Sequence, residues 1–290
     1  MKNAFKPDLQ DGSQWITIDG INIRYLRQGD SNHKSLVLLH GFGGSLDTFK
    51  ENICFLSESY DVIALDFPGF GFSDKPGIRY SIHFQVLKLK RFLDQMNIGD
   101  IYLLGHSMGG AIAIHFAHLF ASRVKKLILV CNAGMGKQIS GVLRLSAMPL
   151  STFFIGWAQS GLIEQMLNNC VYDKDIITKD LVDLYQNIVL LPGAPHAFVS
   201  QLQSFVTVFG QEKSFLVSTK GNLSQLIMPT LIVWGKNDRI IPPHHAEIAH
   251  QNIQQSNLIY YDNCGHLPQM EKVKEFNESV MAFLNDSLTT

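Results

Sequence analysis

The apolar run Ile101-Tyr102-Leu103-Leu104 leads straight into Gly105-His106-Ser107-Met108-Gly109-Gly110, and an alanine-rich helical stretch follows at once. A strand that becomes a helix within so few residues forces its turning residue into an unusual backbone geometry. It also brings strand and helix so close that the flanking positions must be small, a need that Gly105 and Gly109 meet. The turning residue is Ser107, and the turn pushes its oxygen out above the sheet. The fragment therefore demands strands followed by helices, with a hydroxyl exposed at one strand end.

The rest of the chain supplies such a sheet. Apolar residues alternate from Trp15 to Tyr25 on both sides of Asp19-Gly20, a two-residue hairpin signal. Short continuous apolar runs follow at Ser35–His40, Tyr60–Asp66, Ile101–Leu104, Leu127–Cys131, Thr230–Trp234 and Leu258–Tyr261. Runs of this kind suit strands buried on both faces of a parallel sheet. Helical patterns lie between them at about 82–96, 108–120, 243–254 and 270–285. The alternation predicts a mostly parallel, doubly wound α/β sheet with an antiparallel hairpin at its N-terminal edge. It breaks between about 134 and 226, where the pattern is helical and punctuated by Pro149, Gly156, Gly161 and Pro192-Gly193-Ala194-Pro195. The simplest reading is a core of residues 1–133 and 227–290 with a helical cap, 134–226, inserted between two core strands.

Composition narrows the setting. A chain of 290 residues with 46% hydrophobic and 17% charged residues can bury a sizeable core. Its net charge of -1 gives no electrostatic reason to expect nucleic acid or an anionic membrane as partner. Cys54, Cys131, Cys170 and Cys264 have no paired spacing, which argues against a metal site of the CxxC kind and against a disulfide framework. The N-terminus lacks the apolar stretch of a signal peptide, so a cytoplasmic setting is expected. Leu145 to Ile163 carries no charge, but Pro149, two glycines, three serines, Thr152 and Gln159 dilute it. It is read as an apolar cover over a pocket rather than a membrane span.

A serine hydroxyl becomes a useful nucleophile only when a base takes its proton, and that base is usually a histidine oriented by a carboxylate. On a strand-turn-helix elbow these follow in the order serine, acid, histidine. Asp238 stands just past the run Leu231–Trp234, after a glycine turn, and His266 follows the run ending at Tyr261. Loops at the carboxyl ends of parallel strands are where open sheets build sites. Ser107, Asp238 and His266 are the candidate catalytic residues. The charge built on an attacked carbonyl oxygen needs backbone donors, one of them the amide after the nucleophile, Met108. The second is expected from His40-Gly41-Phe42-Gly43-Gly44-Ser45, with Phe42 preferred and Gly43 as substitute. No lysine follows that loop in the pattern a phosphate-binding loop requires. His106 should point away from Ser107, and His40 should hold the following loop. His244, His245 and His250 read as surface or cap residues; His196, beside Pro195 in the cap, is the sole candidate among these histidines for substrate contact, a non-functional role being the preferred reading. Asp66, opening Asp66-Phe-Pro-Gly-Phe-Gly-Phe-Ser-Asp74, reads as a structural anchor.

With these segments the chain resembles the α/β-hydrolase superfamily over nearly its whole length. His40–Gly44 is similar to that family's oxyanion loop, Gly105–Gly110 to its elbow, Gly235–Asp238 to its acid turn and Gly265-His266 to its histidine loop. The resemblance implies a cofactor-independent serine hydrolase with no metal, acting on carboxylic esters with an apolar acyl or alcohol part. Its expected partner is a small-molecule ester, and a homodimer is left open. Phe153, Phe154, Trp157 and Leu162 are the cap residues expected to line the pocket. Ser107-Met-Gly-Gly and the stretch from Cys264 resemble the meta-cleavage product hydrolases, which break carbon–carbon bonds, and equally resemble bacterial carboxylesterases and monoacylglycerol-lipase-like enzymes. This chain has Leu267-Pro268 where many of those have Trp-Ala. A serine at 107 argues against relatives that need a carboxylate nucleophile. A ligand receptor on the same fold is the non-catalytic alternative.

Overall fold

The computed structural model describes residues 12–148, 151 and 160–286. Asp19 and Gly20 adopt φ of 50° and 77°, closing a two-residue turn between β1 (Gln14–Ile18) and β2 (Ile21–Gln28) with Ile18 paired to Ile21. Positive φ at both turn positions matches the right-handed twist of the flanking strands. The chain continues through β3 (Ser35–Leu39), α1 (Lys50–Leu56), β4 (Asp61–Leu65), α2 (Ile82–Gln95), β5 (Ile101–His106), α3 (Met108–Leu119) and β6 (Val124–Val130). After a largely helical stretch come β9 (Thr230–Gly235), α9 (His244–Asn252), β10 (Ser256–Tyr261), α10 (Pro268–Glu271) and α11 (Val273–Asn285).

The main sheet has the order β1-β2-β4-β3-β5-β6-β9-β10 and is parallel from β4 to β10. Leu36–Leu39, Val62–Ala64 and Leu127–Val130 have no more than traces of exposure, as strands covered on both faces must. The strand order reverses at β3. Right-handed crossovers then place α1 on one face, where it packs against α11, and α2 and α3 together on the other. The loops leaving β3 and β5 therefore diverge, and the crevice between them is where such sheets hold ligands. The elbow and the glycine-rich loop open into this crevice.

Between β6 and β9 the described residues form helices α4 (Gly141–Ser146), α5 (Ser160–Cys170), α6 (Lys179–Val189), α7 (Ala194–Leu202) and α8 (Lys213–Leu223), with a short ribbon of β7 (Val206–Thr207) and β8 (Gly210–Gln211). Helices α5 and α6 close on a small apolar cluster of Ile163, Val182 and Tyr185. Helix α8 instead returns to the sheet layer and packs on α3.

His115 makes that junction. Its Nδ1 accepts from the Asn222 amide at 3.1 Å and its Nε2–H donates to Thr219 Oγ1 at 3.0 Å, so the ring is held neutral. Burial, and then the neighbouring His118 and His83, push its pKa down to about 4. The unfolded chain protonates this ring near its ordinary 6.5, well before the folded one does. Stability contributed by neutral His115 is therefore present above about pH 6.5 and lost as pH falls toward 4, at up to about 1.4 kcal/mol per pH unit. Urea unfolding followed from pH 7.5 to 4.5 should lose less stability in His115→Gln than in the parent chain. Parallel losses would contradict this.

Candidate active site

Ser107 sits between β5 and α3 with φ 53° and ψ -114°, a left-handed geometry for a residue with a side chain. Such a conformation costs on the order of 1–3 kcal/mol and persists only where its surroundings fix it. Here Ser107 N donates to Val130 O at 2.8 Å, while Gly110, Ala111 and Ala133 all donate to Ser107 O. The helix lies so near the sheet that a Cβ on Gly109 would stand 2.3 Å from Leu39 O and 2.6 Å from His40 O. Both are backbone atoms and cannot swing aside.

The acid and base arrive on neighbouring loops. Asp238 follows β9, and its Oδ1 accepts from Ile240 N at 2.8 Å and Ile241 N at 2.9 Å. Trp234, fully buried, donates from Nε1 to Ile241 O at 3.3 Å and closes the same turn. This leaves Oδ2 free to accept from His266 Nδ1 at 2.7 Å. That bond fixes the tautomer, so Nε2 faces Ser107 Oγ at 3.0 Å as an acceptor. All three residues are buried. A Cβ on Gly235 would lie 2.0 Å from Gly265 O, which is how tightly the two loops meet. Ser107, Asp238 and His266, far apart in sequence, thus form one hydrogen-bonded line that can draw the proton from a hydroxyl.

Three further groups hold the His266 loop, and of these only the orientation of His106 was expected from the sequence. His106 turns away from Ser107 and donates from Nε2–H to His266 O at 2.8 Å. Burial holds its pKa well below the ordinary value, with His266 opposing a second charge. The His266 amide donates to Cys170 O at 2.6 Å, tying the base to α5. Glu271, on the single turn begun by Pro268, accepts from Gly265 N at 2.8 Å and Tyr172 N at 2.6 Å. Burial pushes this carboxyl up, and the amides that it accepts from oppose the shift. The one sequence signal for it was its place a single turn beyond His266. Cys131 lies behind the acid, with its sulfur, an Asp238 oxygen and a His266 nitrogen within 4.8 Å of one another. These are donors a soft metal ion could use, although Asp238 and His266 are already bonded to each other.

The glycine-rich loop is pinned from below. His40 donates from Nδ1–H to Gly41 O at 2.7 Å and accepts from Phe67 N at 3.0 Å, joining the loops after β3 and β4. Asp66, fully buried, accepts from Leu46 N at 2.7 Å and Phe72 N at 2.8 Å and pairs with Arg24. It is a structural anchor. The Phe42 ring packs against Phe70, Phe198 and Phe205. Neither the Phe42 amide nor the Met108 amide, at the first turn of α3, donates to a protein acceptor among the described residues.

A cavity of about 340 Å³ lies over Ser107 and is bounded by Phe42, Leu143, Ile163, Leu167, Val189, Phe198 and Ile240, among others. Leu162, expected in its wall, is instead 47% exposed. On a helix, adjacent residues point about 100° apart, and Ile163 takes the inward position. Phe153, Phe154 and Trp157 lie outside the described residues. His196, the alternative considered for substrate contact, is exposed and bonds Ile78 O at 3.1 Å. His245, expected as a surface or cap residue, is buried with Nε2 against Gln138 Oε1 at 3.2 Å, because α9 packs inward there. Among the described residues no helix is long and apolar enough to cross a membrane.

Because Gly109 touches only backbone carbonyls, Gly109→Ala should destabilise the fold by about 2 kcal/mol or more in urea unfolding. An unchanged midpoint would contradict the packing of the elbow.

Comparison with known proteins agrees with this architecture. The family model described as alpha/beta hydrolase fold matches residues 34–273. A dihydrolipoyllysine-residue acetyltransferase component of an acetoin cleaving system from Pseudomonas putida is 30% identical, over 93% of this chain and 69% of that protein. Among solved structures, a bacterial membrane phospholipase A has TM-score 0.80 and 26% identity, covering 95% of this chain and 86% of its own. A meta-cleavage product hydrolase from Pseudomonas fluorescens has TM-score 0.80 and 26% identity, covering 95% and 98%. These names span different reactions and do not choose among them. By sequence and by fold, the chain belongs to the α/β-hydrolase family.

Proposed function

We propose that this chain is a cofactor-independent serine hydrolase that cleaves carboxylic esters with an apolar acyl or alcohol part. The observation that carries the reading is the continuous line from Ser107 Oγ through His266 to Asp238, facing an apolar cavity. Ser107 Oγ attacks the ester carbonyl as His266 Nε2 takes its proton, and Asp238 stabilises the imidazolium that forms. The amides of Met108 and Phe42 receive the oxyanion, each such donor being worth roughly 2.7–4 kcal/mol in the transition state. His266 then protonates the leaving alcohol. Water, deprotonated by the same imidazole, releases the acid from the acyl-enzyme.

The inserted helices that precede α8 act in this reading as a cap that selects the substrate. Leu143, Ile163, Leu167 and Val189 would hold its hydrocarbon part by burial. Carbon–carbon bond hydrolysis is the second reading, favoured by the likeness to the meta-cleavage product hydrolase. It uses the same serine and histidine on a vinylogous diketone.

Short- and medium-chain p-nitrophenyl esters assayed beside a ring-cleavage dienoate separate the two. Ester turnover that disappears in Ser107→Ala and falls by roughly 10⁴ in Asp238→Asn is the expected result. Ester turnover that survives Ser107→Ala, or turnover of the dienoate alone, would overturn ester hydrolysis as the function.

A further inference from the structure

We propose that the cavity is built for esters that carry an anionic group, with Arg239 as the residue that recognises it. This rests on the ester reading above and names its substrate class. Arg239 lines the same cavity as Ser107 and is itself exposed, so it stands where the cavity meets solvent. It is the only Lys, Arg, Asp or Glu among the lining residues described.

Its backbone is fixed. The turn from Asp238 to Ile241 is held by two amides donating to the Asp238 carboxylate, at 2.8 and 2.9 Å. Its side chain is uncommitted, and among the described residues no carboxylate or carbonyl engages the guanidinium. Asp238 itself has both oxygens occupied, by His266 and by those amides. Asn169, also on the cavity wall, presents a side-chain amide with no protein partner among the described residues.

A guanidinium offers a planar fork of donors that matches a carboxylate or a phosphate. At the rim of an apolar cavity the lowered dielectric strengthens that attraction. A neutral ester would leave the cation to water alone. A substrate with its hydrocarbon part among Leu143, Ile163 and Val189 and an anion at the mouth satisfies both halves of the lining.

The test is calorimetric titration of the Ser107→Ala protein with methyl hydrogen suberate and with dimethyl suberate. The two match in length and differ in one charge. About tenfold tighter binding of the anionic ester is expected, as one charge-assisted pairing at a solvent-accessible site provides. The preference should vanish in Ser107→Ala/Arg239→Gln, persist in Ser107→Ala/Arg239→Lys and weaken as salt is raised. A second pair, 1-octanoylglycerol 3-phosphate against 1-octanoylglycerol, shows whether phosphate or carboxylate is the better anion. Equal binding within both pairs, or a preference unaffected by Arg239→Gln, would overturn the proposal. A preference that is present while the parent chain hydrolyses none of these esters would leave Arg239 as an anion site and overturn the ester reading instead.

Discussion

A side chain held at φ 53° is the constraint on which the rest of the site depends. Ser107 cannot relax out of that geometry. Val130 accepts its amide and three later amides converge on its carbonyl, while the start of α3 is wedged against the carbonyls of Leu39 and His40. The stored strain, on the order of 1–3 kcal/mol, is offset by the burial of the strands and helix that meet there. In return the hydroxyl projects over the sheet at the point where the loops after β3 and β5 diverge. Every other part of the site is placed relative to that oxygen.

The remaining loops are held by buried polar side chains rather than by apolar contact alone. His40 joins the loops after β3 and β4, and Asp66 ties Leu46, at the far end of the first, to Phe72 in the second. His106 grips the carbonyl of His266, and Glu271 fastens the histidine loop to the turn after α5. Hydrogen bonds of this kind are directional and fix the orientation of each loop as well as its separation from the next. They also carry a condition. A buried group left without its partner costs about 1–3 kcal/mol, so loss of any one anchor disturbs the loop that it holds.

Much of this was legible in the sequence because the relevant signals are local. Asp19-Gly20 specifies its own turn, and each apolar run specifies a buried strand. Ser107, Asp238 and His266 each follow a strand, and a parallel sheet brings strand ends together whatever their separation in the chain. What escaped was long-range. Glu271 looks like an ordinary helical acid until the turn at Tyr172 is seen to donate to it. His245 has a surface-like neighbourhood in sequence, yet α9 turns it inward toward Gln138. Leu162 and Ile163 are equally apolar, and only the orientation of α5 decides which faces the cavity. Return of α8 to α3 was likewise invisible, because the helical pattern does not say which layer a helix joins.

Activation of one hydroxyl is the central claim, and covalent capture reads it directly. Treatment of the protein with a fluorophosphonate, followed by intact mass and peptide mapping, should give one adduct, on Ser107. The rate of labelling should collapse in His266→Ala and fall strongly in Asp238→Asn. An unlabelled Ser107, or equal labelling with His266 removed, would mean that the hydrogen-bonded line from Ser107 to Asp238 does not activate the serine.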